Sequence, residues 1–185
     1  MNHAKTVFAA MAILILLSSC SLNQKSEKEV TSEIYSEVMT YGFSKSGSMN
    51  YDYCKEGSLV FSPNTEVAST VTTNTPNWET ANNHFPKLER ETWDNFLQVN
   101  SQQVPFPKDL DLGCKYTLLD VAPNQPMENC VVVDDFSQIG FNSSKNQALV
   151  SFGQSCDFYS CSSLYFVELI GEHWVVTNLA VIVCA

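Results

Sequence analysis

Positive charge is scarce in this chain. Lys and Arg together number 10 against 20 Asp and Glu, giving a formal net charge of −10. A surface of that sign does not neutralise phosphates, so a nucleic-acid partner is excluded. Electrostatic adhesion to an anionic lipid surface is excluded on the same ground. Histidine is rarer still, with His84 and His173 the two that follow the leader segment. A Ser or Cys nucleophile needs a base and a group to orient that base, and two histidines, one in a loop and one in a turn, are a thin supply. No G-x-S-x-G elbow occurs. The seven glycines are too scattered to form a phosphate-cradling loop. There is no C-x-x-C pair and no Cys/His cluster with zinc spacing, so neither thioredoxin-like chemistry nor a structural zinc is expected. No cofactor and no catalytic residue is read from the sequence.

Long apolar runs are also missing, with one exception. Lys5 precedes Val7 to Leu17, an unbroken apolar stretch. Eleven helical residues span about 16 Å, well short of the roughly 30 Å hydrocarbon core of a bilayer. The run therefore reads as the h-region of an export signal rather than a membrane span. It ends in Leu17-Ser18-Ser19-Cys20. This resembles the lipobox of bacterial lipoproteins, which implies cleavage after residue 19 and acylation of Cys20. Two or more acyl chains, at about 0.8 kcal/mol per buried CH₂, make a stable anchor where one chain does not. The membrane is thus an expected partner through Cys20. Ser at position 21 implies, for a Gram-negative cell, the periplasmic side of the outer membrane.

Three segments follow: a signal peptide over 1–19, a lipidated tether over 20–29 and one globular domain over 30–185. Taking 19 residues from 185 leaves 166, the size of a single domain. Loss of Lys5 leaves nine basic residues and a net charge near −11. Cys54, Cys114, Cys130, Cys156, Cys161 and Cys184 remain, an even number that in an exported chain points to disulfides. Cys156 and Cys161 flank the tip of one expected hairpin and are the first pair chosen. The pairing of Cys54, Cys114, Cys130 and Cys184 stays open.

The fold class expected is α+β: two helices packed on an antiparallel sheet, in a disulfide-stabilised single domain. Ser26 and Glu29 have capping-box spacing. Val30, Ile34, Val38 and Tyr41 form one helical stripe, predicting a helix near 27–41 with Gly42 as its stop. Ser58–Ser62 reads as a short strand. The run 65–83 has no clear period, and Trp78 and Phe85 are expected to pin it down. Leu88, Thr92, Phe96 and Asn100, widened by Trp93 and Leu97, predict a second core-facing helix within 86–100. Leu110–Leu119 holds a candidate strand, 122–129 an exposed turn. From Ile139 onward three extended segments, turning at Asn142–Asn146 and Gly171-Glu172, predict the sheet, with both faces partly covered.

Candidate chemistry is sparse. Asp109 and Asp111 sit in D-L-D-L-G, only partly like a calcium loop, since no terminal Glu follows. Asp134 and Asp135, as strand neighbours, should point to opposite faces. Gly140-Phe141-Asn142, Ala148-Leu149-Val150, Cys156, Cys161, Tyr165-Phe166, Gly171 and Trp174-Val175-Val176 resemble the C-terminal pattern of a group of uncharacterised exported bacterial proteins. That resemblance implies no activity to transfer. The chain departs from the pattern in its four-residue cysteine spacing, in Ser162 and in the ending Ile182-Val183-Cys184. Tyr53 to Val60, near Ser46-Gly47-Ser48, is similar to pieces of periplasmic lysozyme-inhibitor lipoproteins. The expected role is a non-catalytic binding or structural module of the cell envelope, its partner an envelope protein or small ligand. Inhibition of a cell-wall hydrolase such as lysozyme is the alternative. A hydrolase is the third reading, and it requires His84 or His173 beside a Ser and a carboxylate.

Overall fold

Strand alternation in the last third of the chain divides the apolar residues into two sets, and each set meets its own helical layer. The computed structural model describes residues 25–45, 59–61, 77–107, 109–113, 116–118, 131–156 and 159–184. The side chains of residues 45, 59–61, 116–118, 131–135, 154–156, 159–160 and 183–184 are not among those described. In order the elements are α1 (Glu27–Lys45), β1 (Leu59–Phe61), α2 (Trp78–His84), α3 (Arg90–Val99), β2 (Tyr116–Leu118), β3 (Val131–Phe136), β4 (Gly140–Phe141), β5 (Gln147–Cys156), β6 (Tyr159–Ile170) and β7 (His173–Cys184). The sheet runs β2-β1-β3-β5-β6-β7, with β4 pairing β5 off that path. From β3 to β7 the pairing is antiparallel. β1 pairs parallel to both β2 and β3, so the sheet is mixed at that end.

The class is α+β. Three helices are present among the described residues where two are expected from sequence. The additional one, α2, falls at the end of the stretch without a clear period. Asn77 starts it, its side chain accepting from Thr80 N–H at 2.9 Å. At seven residues it is too short to show a period, and the burial of Ala81 and Phe85 is what fixes it.

On one face, Ala148, Val150, Phe152, Tyr165, Val167, Trp174 and Val176 pack with Ile34, Tyr35, Val38, Met39 and Phe43 of α1. On the other, Leu149, Leu164, Phe166 and Ala180 pack with Ala81, Phe85, Trp93 and Phe96 of α2 and α3. Opposite parity along β5 and β6 places the two sets on opposite faces. In β7 the register slips where Phe166 pairs Asn178 and Val167 pairs Val176. That extra residue carries Trp174 and Val176 to the α1 face and Ala180 to the other.

Two expectations change. Gly42 does not stop α1, which continues to Lys45. A Cβ at Gly42 would lie 2.7 Å from Tyr165 Oη and 3.0 Å from Phe152 Cε1, so the missing side chain allows close approach to the sheet. Asp134 is the extra residue of a register shift between Val133 and Asp135, so strict alternation does not hold there.

The cysteines are placed as follows. Cys161 is disulfide-bonded. Its backbone stands opposite Gln154 of β5 and Cys184 of β7, while Cys156 stands opposite Tyr159. The side chains of Cys156 and Cys184, and all of Cys20, Cys54, Cys114 and Cys130, lie outside the described residues. So do the 122–129 turn, residues 46–48 and residues 53–58 of the 53–60 segment that is similar to lysozyme inhibitors; the last two residues of that segment fall in β1.

Candidate functional site

α1 begins with a capping box. Ser26 N–H and Oγ donate to Glu29 Oε2 at 2.7 and 2.8 Å, and Glu29 N–H donates back to Ser26 Oγ. These bonds, the backbone one foremost, lower the Glu29 carboxyl below its ordinary value. Glu29, Glu33 and Glu37 then fall at four-residue spacing along one flank, beside the apolar stripe. That flank, the 109–111 loop and the start of β7 enclose a groove of about 710 Å³, whose lining also includes Lys28, Ser32, Ser36, His173 and Trp174.

Glu33, Glu37, Ser32 and Ser36 of this groove have partners within the fold. Glu33 accepts from Trp174 N–H at 3.1 Å and Glu37 from Val176 N–H at 3.3 Å. β7 is the last strand of the sheet, so these carboxylates satisfy amides that a neighbouring strand would otherwise take. Lys25 Nζ reaches Glu33 Oε2 at 2.6 Å and the Glu172 carbonyl at 2.7 Å. Partial burial alone would raise the Glu33 carboxyl. The bonds from Lys25 and Trp174, with the charges of Lys25 and His173, outweigh burial and hold it below the ordinary carboxylate value. Ser32 Oγ accepts from Asp111 N–H, and Ser36 Oγ donates to the Leu112 carbonyl.

The residues singled out for chemistry do not converge. His173 is 81% exposed at the side chain, with Nδ1 3.6 Å from Glu33 Oε1. His84 lies at the exposed end of α2 beside the Phe85 ring, and its carbonyl accepts from Asn178. Among the described residues no hydrogen bond joins either histidine to a serine. Asp111 Oδ1 accepts from Gly113 N–H in a local turn. Among the described residues no group of three or more His, Cys, Asp or Glu could hold a metal ion. The Tyr35 hydroxyl donates to the Ser137 carbonyl at 3.0 Å, and burial pushes its pKa up.

A second recess, of about 460 Å³, lies between α3 and the β4–β5 turn and is lined by Glu91, Asp94, Asn95 and Gln98 on one side and by Phe141, Asn142, Ser143 and Lys145 on the other. Beside it a polar network fastens α3 to the sheet. Asn142 Oδ1 accepts from Asn146 and Gln147 N–H, and its amide donates to Glu89. Gln147 Oε1 accepts from Glu89 N–H and Thr92 Oγ1, while its amide donates to the Lys87 carbonyl. Asn95 accepts from Phe141 N–H. Asn100 accepts from Gln138 N–H and donates to the carbonyls of Phe96 and Gln138. Gln138 in turn donates to the Val99 carbonyl. The Gly140-Phe141-Asn142 motif is thereby accounted for as scaffold: Gly140 admits the α3 backbone, Phe141 N–H holds Asn95, and Asn142 closes the turn.

Sequence reasoning missed the groove. Its signal was the Glu29, Glu33, Glu37 spacing, one position from the apolar stripe that defined the helix. Comparison with protein-family models, with curated proteins and with solved structures found no match.

Proposed function

We propose that the chain is a lipid-anchored protein of the cell envelope, held by acyl chains on Cys20, and that it acts as a non-catalytic binding or structural module. Anchoring rests on Leu17-Ser18-Ser19-Cys20 at the end of the apolar leader. The observation that carries the non-catalytic reading is the commitment of four of the groove's polar side chains. Glu33, Glu37, Ser32 and Ser36 each hold backbone groups of other elements. A general acid or base must be free to exchange a proton with substrate, and a carboxylate already bonded to strand amides is a poor one. A shaped groove with fixed walls suits the docking of a partner.

Mass spectrometry of protein recovered from a bacterial host tests the anchor. The expected species starts at an acylated Cys20, with the other six cysteines oxidised. A chain starting at Met1 with free thiols overturns the reading. A non-reducing digest resolves the Cys161 link. A disulfide needs Cα atoms about 4.4–6.8 Å apart, which directly opposed residues meet and diagonal ones, at about 7–8 Å, do not. The register thus supports Cys184 over Cys156, and the expected crosslinked peptide joins Cys161 to Cys184. Turnover of cell-wall, ester or peptide substrates by the purified protein would overturn the non-catalytic assignment.

A further inference from the structure

We infer that the tip of the β6–β7 hairpin is the membrane-facing pole of this protein and rests in the lipid headgroup layer. The inference depends on the proposed acylation of Cys20. Five peptide steps separate Cys20 from Lys25, a span of at most about 18 Å when fully extended. Lys25 is no loose end: its ammonium is held by Glu33 and by the Glu172 carbonyl in the hairpin turn. An acylated Cys20 therefore delivers this turn to the bilayer. The far end of α1 stands 19 residues away, roughly 28 Å along the helix.

The delivered surface suits that neighbour. Leu169 and Ile170, at the end of β6, are 37% and 56% exposed, and Val181 is the only other exposed large apolar residue among those described. The contact is carried by apolar side chains and the short tether, not by net positive charge, since Glu168 and Glu172 belong to the same hairpin end. Lys25, Lys28, Lys87, Arg90 and Lys145 lie on segments joined to this end through the Lys25–Glu172, Gln147–Lys87, Asn142–Glu89 and Leu169–Asn146 hydrogen bonds, and Lys25, Lys87 and Arg90 pair there with Glu33, Glu168 and Asp94. They are five of the nine basic residues left after Lys5 is removed. A headgroup layer roughly 5–8 Å deep accepts a hairpin tip whose apolar side chains are rimmed by paired charges.

The test uses the full chain, processed in a bacterial host and reconstituted in vesicles of phosphatidylethanolamine and phosphatidylglycerol doped with a diazirine-bearing phospholipid. After photolysis, peptide mapping should place several-fold more lipid adducts on residues 168–173 than on residues 100–107. Ile170→Asp, at a solvent-facing position, should reduce those adducts several-fold while leaving Tm unchanged. A Gly/Ser spacer after Asn23 should reduce them in an unaltered domain. Adducts spread evenly, or concentrated elsewhere, on protein whose mass confirms acyl chains overturn the inference and leave the anchor standing. A mass without acyl chains overturns both.

Discussion

Two glycines show how differently a missing Cβ matters. At Gly140 an added Cβ would sit 2.6 Å from the Phe96 backbone nitrogen. Backbone in a helix cannot step aside, so α3 would have to lift from β4. At Gly42 the obstacles are the Tyr165 hydroxyl and the Phe152 ring edge, far ends of side chains. Gly140→Ala is expected to cost about 1–3 kcal/mol by overpacking. Gly42→Ala should stay within about 1 kcal/mol of neutral, because the helix-propensity gain of Ala over Gly offsets part of the crowding. Urea midpoints at constant slope measure both, and equal losses would contradict the packing described.

Among the elements, α1 and β7 are joined through Glu33, and that joint responds to pH. The Glu33 carboxyl is lowered in the fold relative to its ordinary 4.5. The stability it contributes is therefore complete above that value and is lost as pH falls through the lowered one. Glu33→Gln keeps an acceptor for Trp174 N–H but loses the charge. It should cost about 1 kcal/mol near neutrality, with the partly exposed setting reducing a charge-assisted bond to that size. Its acid-side decline between about pH 5 and pH 3 should be shallower than the parent's. Urea titrations across that range decide the matter, and parallel curves would deny Glu33 the role.

The elements were legible from sequence in proportion to their period. α1 and α3 carry stripes repeated over several turns, and the strands from Gln147 onward alternate on both faces. Burial of Thr92 and Asn100 followed from their place in the α3 stripe, though not their bonding. α2 had too few turns to show a stripe. The Glu29, Glu33, Glu37 flank was visible in spacing, but only β7 gives those carboxylates something to hold, and that contact spans more than a hundred residues. The parallel pairing of β1 with β2 and β3 is also nonlocal.

For the whole molecule, charge and the shared sheet set the behaviour. A net charge of −10 repels itself in the folded state. Raising ionic strength from ~0.01 M to ~0.15 M shortens the Debye length from ~30 Å to ~8 Å. Tm should rise by about 2–4 °C, the equivalent of about 1 kcal/mol at this size. Scanning calorimetry over that salt range checks it, and a falling Tm would mean that ion pairs such as Lys25–Glu33 outweigh repulsion. A single transition is expected, since both apolar clusters take residues from β5 and β6. The carboxylates that shield the Trp174 and Val176 amides also bear on how copies behave when many are crowded together. Side by side, they would meet rim to rim, the geometry in which sheets fuse into ribbons. A helix that fills this stretch of rim with its own oxygens keeps each copy separate there for as long as those oxygens stay ionised.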